Sequence, residues 1–141
     1  MIAYFDTSAL VPLLIEEPTS DRCARLWNEA TRAVSVRLLY PEARAALARA
    51  ERMRRLTRPQ LAAAVSELDA LLVEIDIVEL SAMTARTAGE LAQQYGLRGY
   101  DAVHLAAALA VADDDVVFVT GDAELAAAAL RTGLAVAVAD R

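Results

Sequence analysis

The stretch "YFDTSAL", Tyr4 to Leu10, decides the fold: an apolar run stops at a carboxylate and a helical pattern begins. Two aromatic residues before Asp6 read as the end of a buried strand, and Asp6 itself reads as a helix cap. Working outward, similar β-branched or aromatic runs stand at residues 2–5, 33–36, 73–78, 116–120 and 134–138. Helical patterns fill residues 8–15, 20–31, 40–56, 58–71, 81–94, 100–112 and 123–132. Strands that alternate with helices predict a parallel sheet, because parallel neighbours need crossover helices and those crossovers are right-handed. We therefore expect an α/β chain in three layers, with a five-stranded, mostly parallel sheet between about seven helices. The helices at residues 40–71 have no strand between them and are expected to form a hairpin projecting beside the sheet.

Composition narrows the function. The chain has 141 residues, a size that buries one core, and neither a repeat nor a linker divides residues 1–141, so one domain is expected. No apolar stretch reaches the length of a membrane span, and the start has no basic region or cleavage site, so a soluble cytoplasmic protein is expected. Cys23 is the single cysteine, which excludes an internal disulfide and a multi-cysteine zinc site; it reads as a small buried apolar group. All 14 basic residues are arginine. Without lysine there is no P-loop phosphate contact and no Schiff-base chemistry.

In an open parallel sheet the functional crevice lies outside the carboxyl ends of the strands, where strand order reverses. Asp6 follows the first strand and Asp122 follows the fourth, in "VVFVTGD". Glu42 in "LLYPEARAAL" and Asp101 in "LRGYDAVHLAAAL" open helices that begin at the same edge. Each alone reads as a cap or a favourable helix-dipole charge. Together they repel: two carboxylates about 5 Å apart at an effective dielectric of about 20 cost roughly 3 kcal/mol. With no lysine nearby and only scattered arginines, a hard divalent cation is the natural counterion, and Mg²⁺, or Mn²⁺ in its place, suits oxygen ligands. The run Asp113, Asp114, Asp115 enters the fourth strand at its amino end and reads as a solvated loop at the wrong pole.

These segments, in this order, resemble the PIN-domain ribonucleases, most closely the VapC-type toxins. The resemblance rests on "YFDTSAL", "YPEARAAL", "LRGYDAVHLAAAL" and "FVTGDAELAAAA" and spans nearly the whole chain. It implies a sheet of order 3-2-1-4-5 and RNA cleavage by metal-activated water at Asp6, Glu42, Asp101 and Asp122, leaving a 5′-phosphate and a 3′-hydroxyl. Asp6, Asp101 and Asp122 would serve the metal, the first two directly and Asp122 through water, as Glu42 would. Thr7 and Thr120 would support the acids by hydrogen bonds. It further implies a homodimer that forms a larger complex with a VapB-like antitoxin, whose arginine would enter the acidic crevice. The alternatives are a PIN nuclease of RNA processing and a silent PIN module that binds protein.

Two other classes with an acidic edge are excluded. A haloacid dehalogenase phosphatase needs a second Asp where Ser8 stands, and both it and a phosphorelay receiver need a lysine. Net charge is −6, which repels RNA, yet Arg44, Arg49, Arg52 and Arg55 share one broad arc at helical spacing and are candidate RNA contacts. An ordinary solvated helix face explains them equally. His104, three residues after Asp101 on one helix face, could share a metal with it, but a lone histidine on an Ala-rich helix reads rather as a core residue with a satisfied ring nitrogen, and the expected site has only oxygen ligands.

Overall fold

The computed structural model describes residues 1–113 and 115–140. Among them the sheet has five strands: β1 (Ile2–Phe5), β2 (Arg32–Val36), β3 (Ile75–Val78), β4 (Val116–Thr120) and β5 (Ala135–Val138). Every pairing is parallel and the order is β3-β2-β1-β4-β5, as expected. The helices are α1 (Thr7–Leu10), α2 (Ser20–Glu29), α3 (Leu39–Arg52), α4 (Arg58–Glu74), α5 (Ala82–Tyr95), α6 (Gly99–Ala110) and α7 (Ala123–Arg131).

Alternation along the central strands sends side chains to two cores. Ala3, Phe5 and Val119 face Leu10 of α1, Cys23 of α2, Leu47 of α3 and Leu68 of α4. Tyr4, Val34 and Phe118 face Leu91 of α5, Leu105 of α6 and Leu125 of α7. The sheet is thus the middle of three layers, and both faces of β1 are dry, which is why that strand is apolar throughout. Its first neighbour on one edge is β2 and on the other β4, so strand order reverses between β1 and β4. Their carboxyl ends are in register, with Phe5 opposite Val119 and the Asp6 N–H donating to the Val119 carbonyl at 3.2 Å.

Several element boundaries differ from the sequence reading. The first helix stops at Leu10 and continues as a single 3₁₀ turn over Val11–Leu13, because Pro12 has no N–H to give an α-helical bond. Helix α3 ends at Arg52 rather than at residue 56, and Arg54 takes a left-handed φ of 61° that reverses the chain. Helix α4 runs three residues past its expected end, to Glu74, and shortens β3. The α3–α4 hairpin forms, but it lies on one face of the sheet as part of that core rather than projecting beside it. Leu39, Leu47 and Leu68 are fully buried there, and that burial is what holds the hairpin down.

Candidate active site

The crevice is built at the ends of β1 and β4. Asp6 caps α1: its Oδ1 accepts the Ala9 N–H at 3.1 Å, and the residue is 3% exposed. Two hydroxyls complete its shell. Ser8 donates to Oδ1 at 2.7 Å, and Thr120, at the end of β4, donates to Oδ2 at 2.6 Å. The same Thr120 oxygen accepts the Asp122 N–H at 3.1 Å, and the Ser8 oxygen accepts the Gly121 N–H at 2.7 Å. Asp122 in turn caps α7 through Oδ1, which accepts from the Glu124 and Leu125 N–H groups at 2.9 and 3.1 Å. One lattice of short bonds therefore locks two carboxylate-bearing turns together. Burial lifts the Asp6 carboxyl above the ordinary range, while His104, Thr120, Ser8 and the Ala9 N–H pull it back.

Glu42 comes to this edge on the first turn of α3. Its Oε1 accepts from the Thr7 hydroxyl at 2.9 Å and contacts His104 Nε2 at 2.6 Å. His104, on α6, is 1% exposed, and its Nδ1 meets the Tyr4 hydroxyl at 3.0 Å. The expected burial and ring satisfaction of His104 are observed. Its isolation from the acids is not, since one of its partners is Glu42.

Asp101 lies in the first turn of α6, and Arg98, the residue before that helix, donates to its Oδ2 at 3.2 Å. The same guanidinium stands 3.6 Å from Asp122 Oδ2 and 4.9 Å from the Tyr100 ring centre. The chain thus supplies one positive charge of its own, which the sequence reading, with only scattered arginines near the acids, did not place. It does not neutralise the cluster. Burial raises the Asp101 carboxyl, Arg98 pulls it down, and the Asp122 charge adds to the rise.

The sequence matches the PIN domain family over residues 3–131. Ribonuclease VapC45 of Mycobacterium tuberculosis (strain CDC 1551 / Oshkosh) is 44% identical over 138 residues, 98% of this chain and 96% of its own length. The chain belongs to the VapC-type PIN domains. Among solved structures, PAE2754 from Pyrobaculum aerophilum shares the fold at a TM-score of 0.71 and 24% identity, over 96% of this chain and 83% of that one. VapBC2 from Rickettsia felis, bound to a DNA fragment from its promoter, matches at a TM-score of 0.66 and 18% identity over 98% of both chains.

The donor chemistry of this PIN domain fits a hard cation. Asp6 and Asp101 are carboxylates that burial makes costly to ionise, and the side-chain groups around them are oxygens, apart from Arg98 and an imidazole nitrogen already turned to Glu42. Among the described residues no three acidic, His or Cys side chains form a ready cage. Mg²⁺ needs none, because it keeps several waters and is held through one or two carboxylates. Beside the acids, a cavity of ≈ 330 Å³ is open to solvent, and its walls include Thr7, Ser8, Gly121, Glu17 and Thr19.

The arginine arc is only partly present in the PIN domain. Arg44, Arg49 and Arg52 are exposed on α3, with Arg44 donating to the Tyr40 hydroxyl at 3.0 Å. Arg55 lies beyond the helix end and pairs with Glu17 at 3.2 Å, so helical spacing no longer places it on that arc. In the acidic run, Asp115 sits at the amino pole, where its carbonyl accepts the Ile2 N–H at 3.0 Å; Asp114 lies outside the described residues. No helix among the described residues is long and apolar enough to cross a membrane. Sequence reasoning missed Ser8, Arg98 and the Tyr4–His104 pair. Arg98 had a local signal, three residues before Asp101, and Ser8 had one in its place two residues after Asp6.

Proposed function

We propose that this chain is a metal-dependent endoribonuclease, working over residues 1–141 as a single domain and acting as the toxin of a toxin–antitoxin pair. One arrangement supports this most: the Thr120 hydroxyl ties Asp6 to Asp122 where strand order reverses. Asp101 joins through Arg98, and Glu42 through Thr7 and His104. Asp6 and Asp101 would hold Mg²⁺ or Mn²⁺ directly, with Asp122 and Glu42 reaching it through water. Such an ion offsets phosphate charge and acidifies a water at neutral pH.

The chain's own groups do the positioning. Ser8 and Thr120 fix both oxygens of Asp6, and the cavity beside Thr7 and Ser8 gives a nucleotide flanking the scissile phosphate a place to sit. The oxygen of water bonds to phosphorus as the bond to the 3′ oxygen breaks. A carboxylate takes the water's proton and the departing oxygen gains one, leaving a 5′-phosphate and a 3′-hydroxyl. The ribose 2′-hydroxyl takes no part.

Cleavage of cellular RNA would inhibit translation and growth in the cytoplasm, and a VapB-like antitoxin would restrain it. A guanidinium suits these acids, because Arg98 already pairs with two of them. The Rickettsia felis neighbour, a VapBC2 structure, supports the kind of partner. A homodimer that assembles further with antitoxin completes the proposal.

The test is cleavage of total RNA by purified protein with Mg²⁺ or Mn²⁺, with and without EDTA, and with Asp6→Asn as control. Cut sites lost in EDTA and in the variant are expected. Cleavage that survives either condition overturns the nuclease site. A chain that is harmless when induced and captures no product of the neighbouring short reading frame overturns the toxin role.

A further inference from the structure

His104 joins three elements of the fold. Tyr4 of β1 is fully buried and stacks on Phe118 of β4, with ring centres 5.5 Å apart and planes 16° from parallel. Its hydroxyl meets His104 Nδ1 at 3.0 Å, the two rings form a T with centres 5.9 Å apart, and Nε2 on the far side meets Glu42 Oε1 at 2.6 Å. A carboxylate only accepts hydrogen bonds, so Nε2 carries the hydrogen and, in the neutral ring, Nδ1 accepts from Tyr4. Oε1 therefore receives two donors, His104 and Thr7, whereas among the described residues no hydrogen bond reaches Oε2. One oxygen is clamped and the other is not.

We propose that His104 is a positioning residue for cleavage: it transmits the rigidity of the sheet, through Tyr4, to the Glu42 carboxylate, so that Oε2 serves as the working oxygen. This rests on the nuclease reading above. An imidazole suits the task because its two nitrogens lie on opposite sides of a flat, rigid ring, so that fixing one fixes the other. Groups of this kind around a functional carboxylate matter without touching substrate, and their loss costs about 10- to 100-fold in activity or metal affinity. The Thr7 oxygen, 3.3 Å from Nε2, closes a small ring of contacts that keeps Glu42 from turning on its own stem.

His104 is the single histidine of the chain, so its ring can be read in a nitrogen–proton spectrum with no assignment step. In the metal-free protein the hydrogen is expected on Nε2, with a resonance that moves on Glu42→Ala and stays in place on Asp122→Asn. In cleavage assays His104→Leu is expected to lower kcat by about 10- to 100-fold with KM changed by less than about twofold. His104→Gln, which keeps an N–H donor, recovers most of that loss, and Tyr4→Phe gives a smaller one. Adding His104→Leu to Glu42→Ala should lower the rate no further, because both changes remove the same oriented oxygen. A multiplied loss in the double variant, or a His104 resonance indifferent to Glu42→Ala, overturns the proposal. If the wild-type protein cuts no RNA with either metal, the nuclease reading fails by itself, and the spectrum still decides whether His104 holds Glu42.

Discussion

At the scale of single residues the acids are held in two ways. Asp6 is wrapped by donors that favour its charge, while Asp101 has one exposed arginine against the pull of burial. A carboxyl whose folded pKa lies above its ordinary value of 3.8 contributes stability that is fully present below that value and is lost as pH rises through the folded pKa. At neutral pH the ionised Asp101 therefore works against the fold. Asp101→Asn is expected to abolish cleavage and yet melt at or above the wild-type temperature without metal, with a gap that narrows as pH falls toward about 4. Melting curves across that range check it. An unfolded variant would make Asp101 a structural cap. Asp6 and Asp122 could be placed from sequence because the parallel-sheet rule fixes where strands end. Glu42 and His104 are 62 residues apart and meet only through tertiary packing, so no local pattern announces their bond.

Among the elements, α4 shows how local chemistry sets a boundary. Thr57 accepts the Gln60 N–H at 3.2 Å, and Gln60 returns the bond to the Thr57 N–H at 2.8 Å, a reciprocal cap over the proline-bearing first turn. Thr57→Ala should cost about 1 kcal/mol, which lowers the melting temperature by about 3 °C; cleavage should be unchanged, because the cap lies outside the acid crevice. A rate loss larger than the stability loss explains would implicate the hairpin in the reaction. The far end of α4 was harder to read, because "LLVEIDIV" at residues 71–78 is apolar enough for a helix or a strand. What decides it is tertiary: Ile75, Asp76, Ile77 and Val78 pair with β2 in register, and Leu71 stays with the helix that packs on the sheet. The end of α3 failed for a related reason, since a left-handed Arg54 is a conformation that residue identity does not forecast.

For the whole molecule, the balance of charge governs assembly. A crevice of four carboxylates with one arginine remains short of positive charge, so a cation that binds only the native state should stabilise it. At a free concentration about a hundred times its Kd, Mg²⁺ or Mn²⁺ should add about 2.7 kcal/mol. The melting temperature would rise accordingly in wild type and far less in Asp6→Asn. A flat response to both metals, with a flat calorimetric titration, counts against the cation. Finally, the bond between Asp6 and Thr120 joins residues 114 apart, and the central strand β1 has both neighbours only after β4 has been made. Because synthesis runs from the amino end at about 5–20 residues per second, the turns that carry Asp6 and Asp122 can lock together only after β4 has left the ribosome. Under the toxin role proposed above, cutting could begin only from that point in translation, which is when an antitoxin already present nearby would have to meet the chain.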